Sequence, residues 1–167
     1  MEIIAHFKSP FPTKFGIPKQ SGLVEELEGE IVFEPKYRNR DALRGLEAFD
    51  YLWIIWQFSA NKHEHTSPTV RPPLLGGNVR MGVFATRSPF RPNGLGLSSV
   101  RIKKIDFKRC AIRVLGADLM DGTPIFDIKP YVTYTDCHPQ ARSGFADAHP
   151  IIRLEVEIPT CVASLLG

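Results

Sequence analysis

The stretch LSSVRIKKIDF, Leu97 to Phe107, followed closely by RCAIRVLGADL, Arg109 to Leu119, decides the fold class. In an extended chain successive side chains point to opposite faces. Val100 and Ile102 therefore share one face, and Arg101 and Lys103 the other, which describes a half-exposed strand. The second stretch repeats the pattern. YLWIIWQF, Tyr51 to Phe58, is rich in aromatic and β-branched residues and too short for a buried helix, so it reads as a core strand. EIIAHF near the start, GEIVFEP (Gly29 to Pro35), MGVFATR (Met81 to Arg87), TPIFDIKPYV (Thr123 to Val132) and RLEVEI (Arg153 to Ile158) read as further strands. The 14 prolines and 13 glycines cut the chain into short segments throughout. About eight strands at this spacing predict an all-β fold, a small closed or partly open barrel or a sandwich, with one or two short helices. RDALRGLEAF, Arg40 to Phe49, is the predicted helix, with Leu43, Leu46 and Phe49 on one side and Gly45 weakening it.

The 167 residues suit one domain with a real core. No apolar run reaches the length of a membrane-spanning helix, and MEIIAHFKSPFPTKFG lacks the pattern of a signal peptide. Cys110, Cys137 and Cys161 are odd in number and far apart, which points to reduced thiols in a cytoplasm. The net charge of +3 permits a nucleic-acid partner without arguing for one. RLEVEIPTCVASLLG ends in apolar sequence. The expectation is therefore a barrel domain over residues 1–158, with 159–167 opening a C-terminal segment that is missing or truncated.

No phosphate-binding P-loop and no Gly-x-Gly-x-x-Gly after a strand is present, so a nucleotide-type cofactor would need another mode of binding. Three polar clusters stand out instead. TRSPFRPNGLG carries Arg87 and Arg91 on a backbone stiffened by Pro89 and Pro92, with Asn93-Gly94 as a turn. It reads either as a hairpin tip with a charged rim or as a rigid loop whose arginines bind carboxylate or phosphate. DLMDGTPIFDIKPY holds a turn at Asp121-Gly122 and then Asp127, Lys129 and Tyr131 on one face of a strand. That face is either an ion pair with a packed tyrosine or the wall of a polar pocket. FPTKFGIPKQSGL is an extended loop that is either a linker or a reader of an aromatic base edge through Gln20. NKHEHTSP offers His63 and His65 as metal ligands without an evident third, so a polar loop is the simpler reading.

Taken in order, FPTKFGIPKQSGL, FDYLWIIWQF, VRPPLLGGNVRMGVFATRSPFRPNGLGLSSVRI and DLMDGTPIFDIKPY resemble the TsaA-like family, the TrmO tRNA methyltransferases. The match runs from about Ile3 to Pro150. The resemblance implies a homodimeric β-barrel that binds S-adenosylmethionine without a doubly wound sheet. It implies no metal, and methylation of N6 in threonylcarbamoyladenosine beside the anticodon of certain tRNAs. It assigns the cofactor to Pro18, Lys19 and Gln20, to Arg87, to Leu97, and to Asp121, Gly122, Thr123 and Pro124. The family carries a histidine after its aromatic strand where this chain has Ser59 followed by Ala60, the last two cofactor positions. Arg91 and Asn93 are the candidates for RNA contact, and Asp127, Lys129 and Tyr131 for catalysis. The rivals are a non-catalytic barrel binding S-adenosylmethionine or RNA, and a zinc hydrolase using His63 and His65.

Overall fold

A computed structural model describes residues 1–61 and 67–147. The strands are β1 (Ala5–Lys8), β2 (Glu28–Phe33), β3 (Tyr51–Gln57), β4 (Thr69–Val70), β5 (Met81–Gly82), β6 (Leu95–Asp106), β7 (Ala111–Leu115) and β8 (Pro124–Pro130). Six of them close into a barrel in the order β1-β2-β7-β6-β3-β8, antiparallel throughout. Closure removes the exposed sheet edges that would otherwise pair with other chains. β4 and β5 form a separate two-stranded ribbon.

The alternation read from the sequence becomes the barrel wall. Leu52, Ile54 and Trp56 of β3 point inward, and Val100 of β6 and Ile112 and Val114 of β7 meet them in one core with Phe7, Ile31 and Ile125. At about 25 cal/mol per Å² of apolar surface, such buried side chains contribute roughly 1.5–3 kcal/mol each before entropy is counted. One inward position is a glycine for a visible reason. Gly96 stands opposite Trp56 across β3 and β6, and a Cβ there would lie 2.3 Å from the indole ring.

Three expectations change. The helix over Arg40 to Phe49 is two 3₁₀ turns, Arg40–Leu43 and Leu46–Ala48, because Gly45 takes φ +89° between them. A residue in the left-handed region cannot continue a right-handed helix. Asn39 caps the first turn, its side chain accepting from the Asp41 N–H. The strand expected over Met81 to Arg87 stops at Gly82, and Val83–Ala85 form a 3₁₀ turn closed by the Thr86 hydroxyl on the Val83 carbonyl, 2.8 Å. β5 pairs with β4, so the stretch before TRSPFRPNGLG is not the hairpin partner of β6. The α-helix that does occur is one turn, α1 (Thr133–Asp136). The strand expected over Arg153 to Ile158, and His63 and His65, lie outside the described residues. No helix among the described residues is long and apolar enough to cross a membrane.

A candidate cofactor cleft at the mouth of the barrel

β3 ends, and β6 and β8 begin, at the same end of the barrel. The segment from Lys14 to Ser21 and the loop from Thr86 to Arg91 lie over this end. Together they enclose a cleft of about 1160 Å³, larger than the range usual for drug-sized ligands. Its floor is Trp56, Gly96, Asp118, Met120 and Thr123, and one wall is the outer face of β3 and β6, with Trp53, Ile55, Leu97 and Ser99.

The arginine loop is held by its own hydroxyls. The Ser88 N–H donates to Thr86 Oγ1 and the Phe90 N–H to Ser88 Oγ, short side-chain turns that fix the backbone without a ladder. Arg91 donates to the Thr86 carbonyl, 3.0 Å, and Gly94 N–H to the Arg91 carbonyl closes the next turn. Arg87 donates to Gln20 Oε1, which ties this loop to the Pro18–Gln20 segment, two stretches 67 residues apart in sequence. Gln20 in turn donates to the Lys19 carbonyl, 2.6 Å.

Under the cleft runs a buried polar chain. Trp56 Nε1 donates to Ser98 Oγ, 2.9 Å, and Ser98 Oγ donates to Asp118 Oδ1, 2.6 Å. Ser98 is 1% exposed and faces inward, so both bonds are needed to satisfy it. Burial pushes the Asp118 carboxyl above its ordinary value. The Ser98 hydroxyl, the backbone N–H groups of Asp118 and Ser21 and the charge of Arg87 oppose that shift. Asp118 thus joins the barrel core, through Ser98 and Trp56, to the cleft that it lines. It was missed in the sequence. The available signal was a lone carboxylate inside the otherwise apolar run VLGADLM.

Of the residues expected at the cofactor, Pro18, Lys19, Gln20, Ser59, Ala60, Arg87, Leu97 and Thr123 line the cleft. Asp121, Gly122 and Pro124 do not. The Asp121 carboxylate accepts from the Ser9 N–H, 3.0 Å, and Gly122 N–H donates to the Phe7 carbonyl, so this turn fastens β1 to the start of β8. Arg91 lines the cleft and Asn93 does not. Tyr131 lines it too, stacked obliquely on Trp53 with ring centres 5.5 Å apart. Desolvation first, then Cys137, raises the Tyr131 phenol above its ordinary value. Asp127 and Lys129 share its side of β8, opposite Ile55 and Trp53, but lie beyond the cleft lining, and Asp127 Oδ1 accepts from the Ile128 N–H. Below Tyr131, Asp136 accepts from Trp53 Nε1 and from the Val132 N–H; these two bonds, the backbone one foremost, hold its carboxyl below the usual range. Among the described residues no three His, Cys, Asp or Glu side chains gather as a metal site.

A closed antiparallel barrel whose mouth carries a mixed polar and apolar cleft defines a class of small-molecule-binding barrel distinct from the doubly wound sheet. Comparison with known proteins specifies it: residues 6–137 match the tRNA-methyltransferase O N-terminal domain, and the chain belongs to that family. It is 46% identical over 157 residues to a tRNA (adenine(37)-N6)-methyltransferase of Escherichia coli strain K12, covering 93% of this chain and 67% of that protein. It is 45% identical to a putative S-adenosylmethionine-dependent methyltransferase of Pseudomonas aeruginosa, over 88% of this chain and 60% of that one. A crystal structure of TrmO from Pseudomonas aeruginosa superposes with a TM-score of 0.72 at 37% identity, covering 89% of this chain and 63% of the other. The chain therefore spans about three-fifths to two-thirds of the length of these relatives.

Proposed function

We propose that this chain transfers a methyl group from S-adenosylmethionine to N6 of the adenosine beside the anticodon in tRNA, with threonylcarbamoyladenosine as the acceptor. The observation that carries the reading is the convergence of Pro18–Gln20, Ser59–Ala60, Arg87, Leu97 and Thr123 on one cleft. Strand pairing sets Ser59–Ala60, Leu97 and Thr123 side by side at the ends of β3, β6 and β8, and Pro18–Gln20 and Arg87 reach the same cleft on two loops tied by the Arg87–Gln20 bond. The names of the relatives supply the reaction class.

The cleft suits such a cofactor in chemistry as well as size. Gln20 and the backbone of its segment suit an adenine edge. Arg87 suits a carboxylate, because its planar donor fork can bind two oxygens at once. Trp53, Ile55 and Leu97 offer apolar surface to the rest. When bound, the sulfonium supplies an already activated methyl group. The work left to the protein is to hold donor and acceptor in line, the kind of positioning that can supply roughly 7–11 kcal/mol of barrier reduction in favourable cases.

The acceptor nitrogen is a poor nucleophile and must lose a proton, so its placement is decisive. Tyr131 is the one member of the β8 set in the cleft wall, and its protonated phenol is suited to orient the base. Arg91, Asn93 and Lys129 are assigned to RNA contact. Ser59 replaces a histidine, so we assign its share of cofactor binding to the backbone of Ser59 and Ala60. We place the protein in the cytoplasm, where its substrate is. We also propose a homodimer, because Tyr51, Phe90 and Leu97 leave 43%, 48% and 59% of their surface exposed around the cleft. Sedimentation equilibrium tests this; a monomer at micromolar concentration rejects it.

The decisive experiment is mass spectrometry of tRNA nucleosides after incubation with S-adenosylmethionine. It uses tRNA carrying threonylcarbamoyladenosine beside unmodified tRNA. One added methyl on the modified nucleoside alone is expected. Cofactor binding by calorimetry without any methyl gain would leave a non-catalytic binding barrel.

A further inference from the structure

We propose that the outer face of the β6–β7 hairpin is a docking surface for the phosphate backbone of an RNA stem. The surface consists of Arg101, Lys103, Lys104, Lys108, Arg109 and Arg113. This rests on the tRNA reading and adds to it a second contact, at the opposite end of the barrel from Arg91 and Asn93.

Three observations support it. The first is a β-bulge between Ile102 and Lys104. Ile102 pairs with Val114 and Lys104 with Arg113, so Lys103 is the extra residue. Without the bulge, strict alternation would turn one of two consecutive lysines inward. With it, both are exposed, while Ile102 and Ile105 still pack against the core. Bulges re-aim side chains in this way.

The second is a like-charge pair. Lys104 and Arg113 are direct partners across the two strands, an arrangement that destabilises a sheet. Arg113 is partly relieved by Glu28 and Glu30, at 4.0 and 3.9 Å. Lys104 has no hydrogen-bonded or ion-paired side-chain partner among the described residues, and nor have Arg101 and Lys108.

The third is the charge balance and its position. Glu28 and Glu30 form ion pairs on this surface, with Lys103 at 2.7 Å and Arg109 at 2.8 Å. Asp106 spends its carboxylate on the backbone N–H groups of Lys108 and Arg109. Six cations against these three carboxylates leave a net +3, as large as the +3 of the whole chain. The row is continuous with the cleft, because Leu97 of the cleft wall and Lys104 lie on the same strand. Lys104 lies seven positions beyond Leu97, roughly 23 Å at about 3.3 Å per residue. A base held in the cleft would leave its own stem room to run along this strand, with phosphates facing the cations.

The test uses Lys104→Ala/Lys108→Ala, two exposed positions outside the cleft. The probe is an anticodon stem-loop RNA, and its affinity is followed by fluorescence anisotropy over a range of salt. We expect about tenfold weaker binding near 0.1 M salt and a salt slope smaller by about two, one for each lost phosphate contact. KM for tRNA rises, while kcat and the affinity for S-adenosylmethionine stay at wild-type values. Lys104→Arg/Lys108→Arg keeps the charge and restores binding. Unchanged stem-loop affinity and slope in the alanine variant overturns the proposal, and an acidic protein as the true partner gives this result. Equal weakening toward a stem-less loop oligonucleotide also overturns it. A wild-type chain that binds the stem-loop but never methylates tRNA overturns the enzymatic reading and leaves this surface standing.

Discussion

Two cationic regions of the molecule are built in opposite ways. At the mouth, Arg87 and Arg91 spend donors on neutral oxygens, the Gln20 amide and the Thr86 carbonyl, and neither forms an ion pair among the described residues, although the Arg87 charge is felt by Asp118. At the far hairpin, Arg109 grips Glu30 with both terminal nitrogens and Lys103 holds Glu28, so part of the charge is cancelled before any partner arrives. Neutral partners orient a cation, whereas carboxylates consume it. A count of arginines and lysines does not separate the two.

The largest effect is expected at Gly96, on the mouth side alone. Gly96→Ala drives a methyl group into Trp56, the first member of the chain Trp56–Ser98–Asp118. Overpacking of this kind costs about 1–3 kcal/mol. Urea denaturation should show that loss, together with loss of cofactor binding at the mouth and no change in the hairpin. Arg87→Ala comes next. It removes the tie to Gln20 and the proposed carboxylate donor, so cofactor affinity by calorimetry should fall about tenfold or more, while thermal stability holds.

Asp118→Asn probes the floor. Because burial raises the folded-state value, the native protein binds the proton more tightly than the unfolded chain. The stabilisation from this group is therefore complete below the ordinary value of 3.8 and is lost as pH climbs through the raised value. The difference in stability between wild type and the asparagine variant, followed by denaturation across this acid range, should therefore fall as pH rises. The smallest effect belongs to the hairpin. Glu28→Gln releases Lys103 and Arg113, and stem-loop RNA affinity should rise by roughly threefold at low salt and by nothing at high salt. A similar gain from a change at the mouth would erase the distinction between the two regions.

Much of this was legible as sequence, and the exceptions have causes. Period-two alternation located β6 and β7, because one face of each strand meets the core and the other meets water, and the aromatic and β-branched run YLWIIWQF located β3. MGVFAT misled because an apolar run has the same composition whether it forms a strand or, as at Val83–Ala85, a single turn tied by Thr86. RDALRGLEAF kept helical spacing, but one left-handed glycine divided it. The cofactor candidates were named by resemblance across four separated segments; spacing alone left the arginine loop undecided. Asp127 and Lys129 shared a strand face with Tyr131 as read, yet the mouth of the cleft reaches only Tyr131.

Local pattern is enough to make this protein a set of short strands around an apolar interior, since alternation and turn residues are properties of neighbouring residues in the chain. That β1 closes on β8 to make a barrel is visible only in three dimensions, and the tertiary fold holds more than this closure. It alone brought Gln20 to Arg87, and Asp118 to Ser98 and Trp56. These are meetings between residues 20 to 67 positions apart, and no local pattern encodes them. They follow from which strand lies beside which, a choice made by the burial of the whole core at once.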